Sequence, residues 1–206
     1  MKRIIKIFLI LLLVGMAVIA AVPFLKEKRE ERKYEKDFKN IQESVTEKRS
    51  DVNDLVKKNK DCIGYVEIPG TTISYPVMQT KDNPDFYLNH DFNRNYSFYG
   101  TPYLSAYCNV EKSDNLIIYG HNINGGKMFG ALEQYKDKEF FNKHRKIYFT
   151  TDKKRKYEVF AVMSVNIHEF EYWKFVMARD KEEYDEFVDK VEEHSLWRQR
   201  NKPKYG

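Results

Sequence analysis

One imidazole stands out among the groups in this 206-residue chain that could move a proton. His121 follows an apolar β-type run, Leu116–Tyr119, which stops at Gly120. Behind it come Asn122, Asn124, Gly125 and Gly126, a turn cluster, and then a helix-like start over Lys127–Leu132. A strand that delivers a single imidazole to a loop mouth holds a general acid or base on a rigid support. The bland alternative is an ordinary turn histidine. The other four histidines, His90, His144, His168 and His194, share no metal-type spacing such as H-E-x-x-H, so neither a metal nor a cofactor is expected. The two cysteines, Cys62 and Cys108, form no C-x-x-C pair. In an external protein they could join in one disulfide, but unpaired thiols are the expectation. A reactive cysteine needs a partner that lowers its pKa and exposes the thiolate. Cys62 precedes the first strand and Cys108 follows the third, and neither is expected to act as a nucleophile.

The elements that must position His121 are short and mostly β. Ile63–Ile68 alternates apolar and polar residues up to a turn at Pro69-Gly70, and Ile73–Met78 makes a second strand. Pro76 inside it places that strand at an edge or a bulge. Asp82–His90 reads as a short helical turn, Tyr103–Ala106 as the third strand and Asn115–His121 as the fourth. Helices at Lys127–Tyr135 and Lys138–Lys143 lead to strands at Lys146–Thr151 and Tyr157–Val165. Lys181–His194 is helical, with Tyr184, Phe187, Val188 and Val191 on one face, and Arg198–Gly206 is a polar loop. Fifteen tyrosines and 14 phenylalanines supply core material, and 36 basic residues against 31 acidic ones form no compact patch. No nucleic-acid partner is expected.

The first sixty residues differ in kind. Lys2, Arg3 and Lys6 precede an uncharged run of nineteen residues, Ile7–Leu25, enough to cross the hydrocarbon of a bilayer as a helix. That length favours a retained anchor over a cleavable signal peptide, although Ala17, Ala20 and Ala21 keep cleavage open. Lys26 to about Asn59 has the composition of a solvated helix, with Phe38, Ile41, Val45, Val52, Leu55 and Val56 as one narrow apolar face. A stalk that packs this stripe on the domain is the favoured reading, and the heptads are too few for a coiled coil. Lys26–Lys39 carries seven Lys/Arg, so charge alone argues against moving this flank outward.

Tyr119-Gly120-His121-Asn122, followed by Met128-Phe129, closely resembles the strand-and-histidine element of class B sortases, the membrane-anchored cysteine transpeptidases of Gram-positive bacteria. In that family Y-G-H-N or Y-G-H-H is followed by a short linker and M-F. The stretch I-G-Y-V-E-I-P-G-T-T-I-S-Y-P-V-M-Q from Ile63 is similar to the opening hairpin of sortase barrels. The helix at Lys181–His194 is similar to the one in the family's long sixth-to-seventh-strand connection. The resemblance implies a mainly β fold with accessory helices, a sortase-type β-barrel at 61–206 behind a membrane anchor at 1–25 and a charged helix at 26–60. It also implies a single-pass protein of the cell membrane with an extracellular domain.

What the resemblance implies for chemistry is specific. His121 is the proton donor to the leaving amine, and Tyr119, Leu88, Tyr172 and Trp173 line an apolar peptide groove. Each of those four could equally be a core residue, and His168 has a smaller claim to touch peptide. The partners are the sorting-signal peptide of secreted surface proteins, of N-P-x-T-N or P-x-T-G type, and an amine of the peptidoglycan precursor. The family's nucleophile lies in a T-L-x-T-C strand near the C-terminus, and the next strand supplies an oxyanion-binding arginine. Residues up to Gly206 contain neither, and Arg198 and Arg200 precede that position. The barrel is therefore expected to lack two strands, and the chain as written to lack transpeptidase activity. A membrane-anchored relic that binds peptides without cleaving them is the alternative, and a stalk protein with an unrelated small β domain is a third, weaker one.

Overall fold

A computed structural model describes residues 2–47 and 52–205. The chain divides into two units, Met1–Ile41 and Gln42–Gly206. The first helix, α1, spans Lys2–Glu47 and passes position 25 without a break, carrying Pro23 in its interior. Its apolar side chains from Ile7 to Leu25 point outward all round the helix and stay exposed. Among the described residues one helix, over Arg3–Glu43, is long and apolar enough to cross a membrane. In its charged part the rings of Tyr34 and Phe38, four residues apart, approach to 4.8 Å. The stripe predicted along one helix from Phe38 to Val56 is split. α1 ends at Glu47, a short helix α2 spans Val52–Lys58, and residues 48–51 of the expected stalk lie outside the described residues. Val52 and Leu55 bury their side chains.

The second unit is organised by a hairpin. β1 (Cys62–Glu67) and β2 (Ser74–Met78) pair antiparallel around Pro69-Gly70, with Ile68 N–H donating to the Ile73 carbonyl at 2.9 Å. β3 (Tyr103–Leu104), β4 (Ile118–Tyr119), β7 (Lys146–Thr150) and β8 (Lys154–Glu158) complete a six-stranded curled sheet in the order β4-β3-β2-β1-β7-β8. All its pairings are antiparallel except β2–β3, which meet in parallel at Met78 and Tyr103. The expectation for Pro76 is half met. β2 lies inside the sheet, but its register with β3 touches only Met78, which leaves Pro76 without a ladder partner to supply on that flank. Asn122–Ile123 (β5) pairs with Lys127–Met128 (β6), and Ala161–Met163 (β9) with Ser195–Arg198 (β10). The core gathers Leu55, Ile73, Val77, Met78, Tyr87, Leu104 and Met128, each almost fully enclosed. Burial on that scale stabilises by about 1.5–3 kcal/mol per large side chain.

Several element boundaries differ from the sequence reading. The fourth strand shrinks from Asn115–His121 to Ile118–Tyr119, because Asp114 and Asn115 turn away to hold another loop. Lys127–Tyr135 is not one helix: Lys127–Met128 joins a small hairpin, and a 3-10 helix then runs Phe129–Lys136. Tyr157–Val165 is broken between β8 and β9. Ser195–Arg198 is a strand on β9, so Arg198, the first residue of the expected polar loop Arg198–Gly206, is part of a sheet. The helices with capping signals come closest to expectation. α3 (Lys138–Lys143) is capped by Asp137, and α4 (Lys181–Glu193) by Asp180, whose side chain accepts from Glu183 N–H at 2.9 Å.

Candidate active site

β4 ends at Tyr119, Gly120 makes the step, and His121 opens the β5–β6 hairpin. The tip of this hairpin needs two consecutive residues with positive φ, and Gly125 (77°) and Gly126 (74°) provide them without the cost a side chain would carry. Met128 also has positive φ, 50°, and is completely buried, so packing holds a strained turn in place. That turn throws Phe129 back toward the strand. Phe129 N–H donates to the His121 carbonyl at 2.9 Å, and its ring covers Gly120. The Y-G-H and M-F pieces of the sequence thus form one local unit.

The His121 imidazole is half-buried. Its Nε2–H donates to the Leu88 carbonyl at 2.8 Å, since a carbonyl oxygen can only accept. Leu88 closes the 3-10 turn Phe86–Leu88, which is anchored by fully buried Tyr87. The Tyr87 hydroxyl donates to Asp61 Oδ2 at 2.7 Å and accepts from Asn59 Nδ2 at 2.8 Å, while Arg94 pairs with the same carboxylate. Phe98, 61% exposed, holds its ring nearly parallel to the imidazole, with centroids 6.4 Å apart.

Of the residues expected in the groove, the structure brings two, Leu88 and Tyr119, into relation with His121. Leu88 touches it directly through its carbonyl. Tyr119 sits two residues before it, opposite Tyr103 with ring centroids 5.4 Å apart. Burial raises the Tyr119 phenol above its ordinary value, and Tyr172 is the next largest cause. Trp173 stands apart. The residue is 39% exposed, and Lys174 Nζ lies over its ring, 5.2 Å from the centroid. The loop that carries both aromatics is tied to the approach of β4. Asn115 N–H donates to the Val176 carbonyl at 3.1 Å, Asn115 Nδ2 to the Phe175 carbonyl at 2.8 Å, and Ala178 N–H to Asp114 Oδ2 at 2.8 Å.

The sequence reading missed this clamp and Phe98. The Asp114-Asn115 pair just before an apolar run was the available signal for the first. Phe98 had only its place in the aromatic run Tyr96–Tyr99 beside Gly100, which does not say what it faces.

Both cysteines are buried and free. Cys108 Sγ–H donates to the Asn115 carbonyl at 3.3 Å, and its sulfur accepts from Ile117 N–H at 3.4 Å. The Cys62 thiol is pushed up to about 11 by burial. His90, His144 and His194 each spend Nδ1 on a nearby backbone carbonyl, of Phe86, Pro69 and Lys190. His168 lies on the rim of a separate groove floored by Phe170, Phe175 and Phe187. No metal-type cluster occurs among the described residues. Arg198 pairs with Glu192 at 3.0 Å on β10.

The model of the sortase domain matches residues 66–191. Sortase B of Staphylococcus aureus is 29% identical over 204 residues, 95% of this chain and 83% of its own length. Sortase B of Listeria monocytogenes is 33% identical over 153 residues, 73% of this chain and 61% of its own length. Among solved structures, the substrate complex of Staphylococcus aureus sortase B superposes with a TM-score of 0.75 at 26% identity, covering 87% of this chain and 85% of that one. The fold and these matches define a cysteine transpeptidase scaffold. The chain belongs to the sortase family, and within it to class B.

Proposed function

We propose that His121 is the proton donor of a class B transpeptidation site that cleaves a cell-wall sorting signal of N-P-x-T-N or P-x-T-G type and transfers the surface protein to a peptidoglycan amine. The observation that carries this reading is the placement of His121. It is a half-exposed imidazole, fixed through Nε2 to the Leu88 carbonyl, just past the end of the strand that carries Tyr119. Attack of a thiolate on the scissile carbonyl expels an amine that must take up a proton. An imidazolium within hydrogen-bond reach supplies it, contributing ~10²–10⁴-fold. Leu88, Tyr119 and Tyr172, with Trp173 at the rim, are proposed to line the groove for the extended peptide.

The nucleophile is neither Cys62 nor Cys108. Both thiols are buried, and neither faces His121 in any described contact. Residues 1–206 alone are accordingly proposed to be inactive, and activity needs a T-L-x-T-C strand and an arginine-bearing strand joined to them. α1 is proposed to anchor the protein, with Met1–Lys6 in the cytoplasm and the domain outside.

The test is a protein in which those two strands follow Gly206. His121→Ala should fold and lose transpeptidation of a sorting-signal peptide; retention of more than about a tenth of the activity contradicts the proton-donor role. A second reading, a peptide-binding module without chemistry, is favoured by the groove residues alone. It predicts that residues 1–206 bind the peptide and that adding the strands restores no turnover.

A further inference from the structure

The backbone at Gly100 meets the backbone of the turn that holds His121. Gly100 has φ 59°, and a β-carbon built on it would stand 2.3 Å from the Leu88 carbonyl oxygen and 2.7 Å from that of Tyr87. Three hydrogen bonds hold the segments together there: Thr101 N–H to the Tyr87 carbonyl at 2.9 Å, Ser97 N–H to the Asn89 carbonyl at 3.0 Å, and the Thr101 hydroxyl to the His90 carbonyl at 3.0 Å. The obstructing atoms are main chain, so no rotamer change relieves them. Tyr87 cannot retreat either, with its ring fully enclosed and its hydroxyl held by Asp61 and Asn59.

We propose that Gly100 is a positioning residue for His121. Its missing side chain lets the Leu88 carbonyl reach the imidazole, and that carbonyl dictates the tautomer. A carbonyl accepts, so Nε2 must carry the proton in the neutral ring, and Nδ1 is the nitrogen left to receive or release one. The Leu88 carbonyl thus does what a carboxylate does for a catalytic histidine elsewhere: it orients the ring and names the working nitrogen. The use of Nδ1 in proton transfer rests on the reading of His121 given above; the orientation itself does not.

The test is a long-range ¹H–¹⁵N correlation spectrum of the histidines in the full chain, held in detergent micelles at a pH where the rings are neutral. Unmodified protein should show His121 as the Nε2–H tautomer. Gly100→Ala and Gly100→Asn should both shift it to the Nδ1–H form or to exchange between the two, with the other histidines unmoved. Asparagine tolerates positive φ, so it separates the steric contact from backbone strain. A Gly100→Asn protein with an unchanged tautomer overturns the proposal, as does an Nδ1–H tautomer in the unmodified chain.

Should the Gly100 variants not fold, a backbone ester between Leu88 and residue 89 weakens the acceptor without adding an atom. It removes only the Asn89 N–H, whose bond to Phe86 is long at 3.4 Å. The same loss of the Nε2–H preference is expected, and its absence overturns the proposal. No substrate is present in any arm, so failure of His121→Ala to abolish turnover in the strand-completed enzyme would strike the proton-donor reading and leave this result standing.

Discussion

The ring of Phe129 covers Gly120 so closely that a β-carbon at position 120 would stand 2.7 Å from it. Phe129 is also the residue whose N–H grips the His121 carbonyl. Gly120→Ala should therefore destabilise the domain by about 1–3 kcal/mol through overpacking and disturb the His121 resonances. Phe129→Ala removes the obstruction, so the double variant should cost less than the sum of the two single ones. Thermal melts of the four proteins check this, and additive costs would show that the two residues do not meet.

The Cys62 thiol gives a pH signature. Its folded value, about 11, lies above the ordinary 9.0 because burial opposes the thiolate. The folded state then holds the proton more tightly than the unfolded chain, so this stabilising effect is whole below pH 9 and is lost as pH rises toward 11. The loss amounts to about 2 kcal/mol at the top of that window. Cys62→Ala should flatten the part of the stability curve that falls between pH 9 and pH 11, although Tyr65, raised to about 12, adds its own decline above pH 10. An equally steep fall over that window without the thiol contradicts the assignment.

The same burial predicts slow chemistry. In native residues 1–206 at neutral pH, neither Cys62 nor Cys108 should be labelled by a sorting-signal peptide carrying a thiol-reactive warhead, because neither sulfur is accessible and both are hydrogen-bonded. Stoichiometric adducts mapped to either one by mass spectrometry would overturn the inactivity proposed for these residues.

How far the sequence carried the fold depended on what each signal encodes. The helices expected at Lys138–Lys143 and Lys181–His194 start where expected, and in the structure the Asp137 and Asp180 side chains cap them. The β1–β2 hairpin was legible from alternation and Pro69-Gly70. The stretch after His121 was not, because Lys127–Tyr135 has helix-like composition while its geometry is set by a buried Met128 at positive φ. Periodicity is silent about that tertiary constraint. Within the site, the residue types of the Y-G-H and M-F pieces were readable. The Leu88 carbonyl was not, since a backbone acceptor leaves no mark on the side chain that carries it.

The proposed topology can be checked on cells. Proteolysis of intact cells should remove the Gln42–Gly206 unit while the apolar part of α1 stays protected. Lys2, Arg3 and Lys6 flank the apolar stretch on one side and the seven Lys/Arg of Lys26–Lys39 on the other, so charge alone argues against the outward domain and the proposed direction rests on the family. Full protection of the domain would place it inside and sink the extracellular assignment.

The last expectation concerns residues 60–206 expressed alone. Among the described residues, β4 is a terminal strand of the six-stranded sheet, with β3 on one flank. The free flank of Ile118–Tyr119 offers backbone donors and acceptors beside apolar side chains, the arrangement that invites pairing with another chain. α2, with its buried Val52 and Leu55, is also absent from this fragment, and a domain of this size has only ~5–15 kcal/mol of stability to lose. The fragment should self-associate in sedimentation velocity and melt broadly. A monomer with a sharp cooperative transition would contradict this. It would also favour a self-sufficient peptide-binding module over an enzyme that needs further strands against β4.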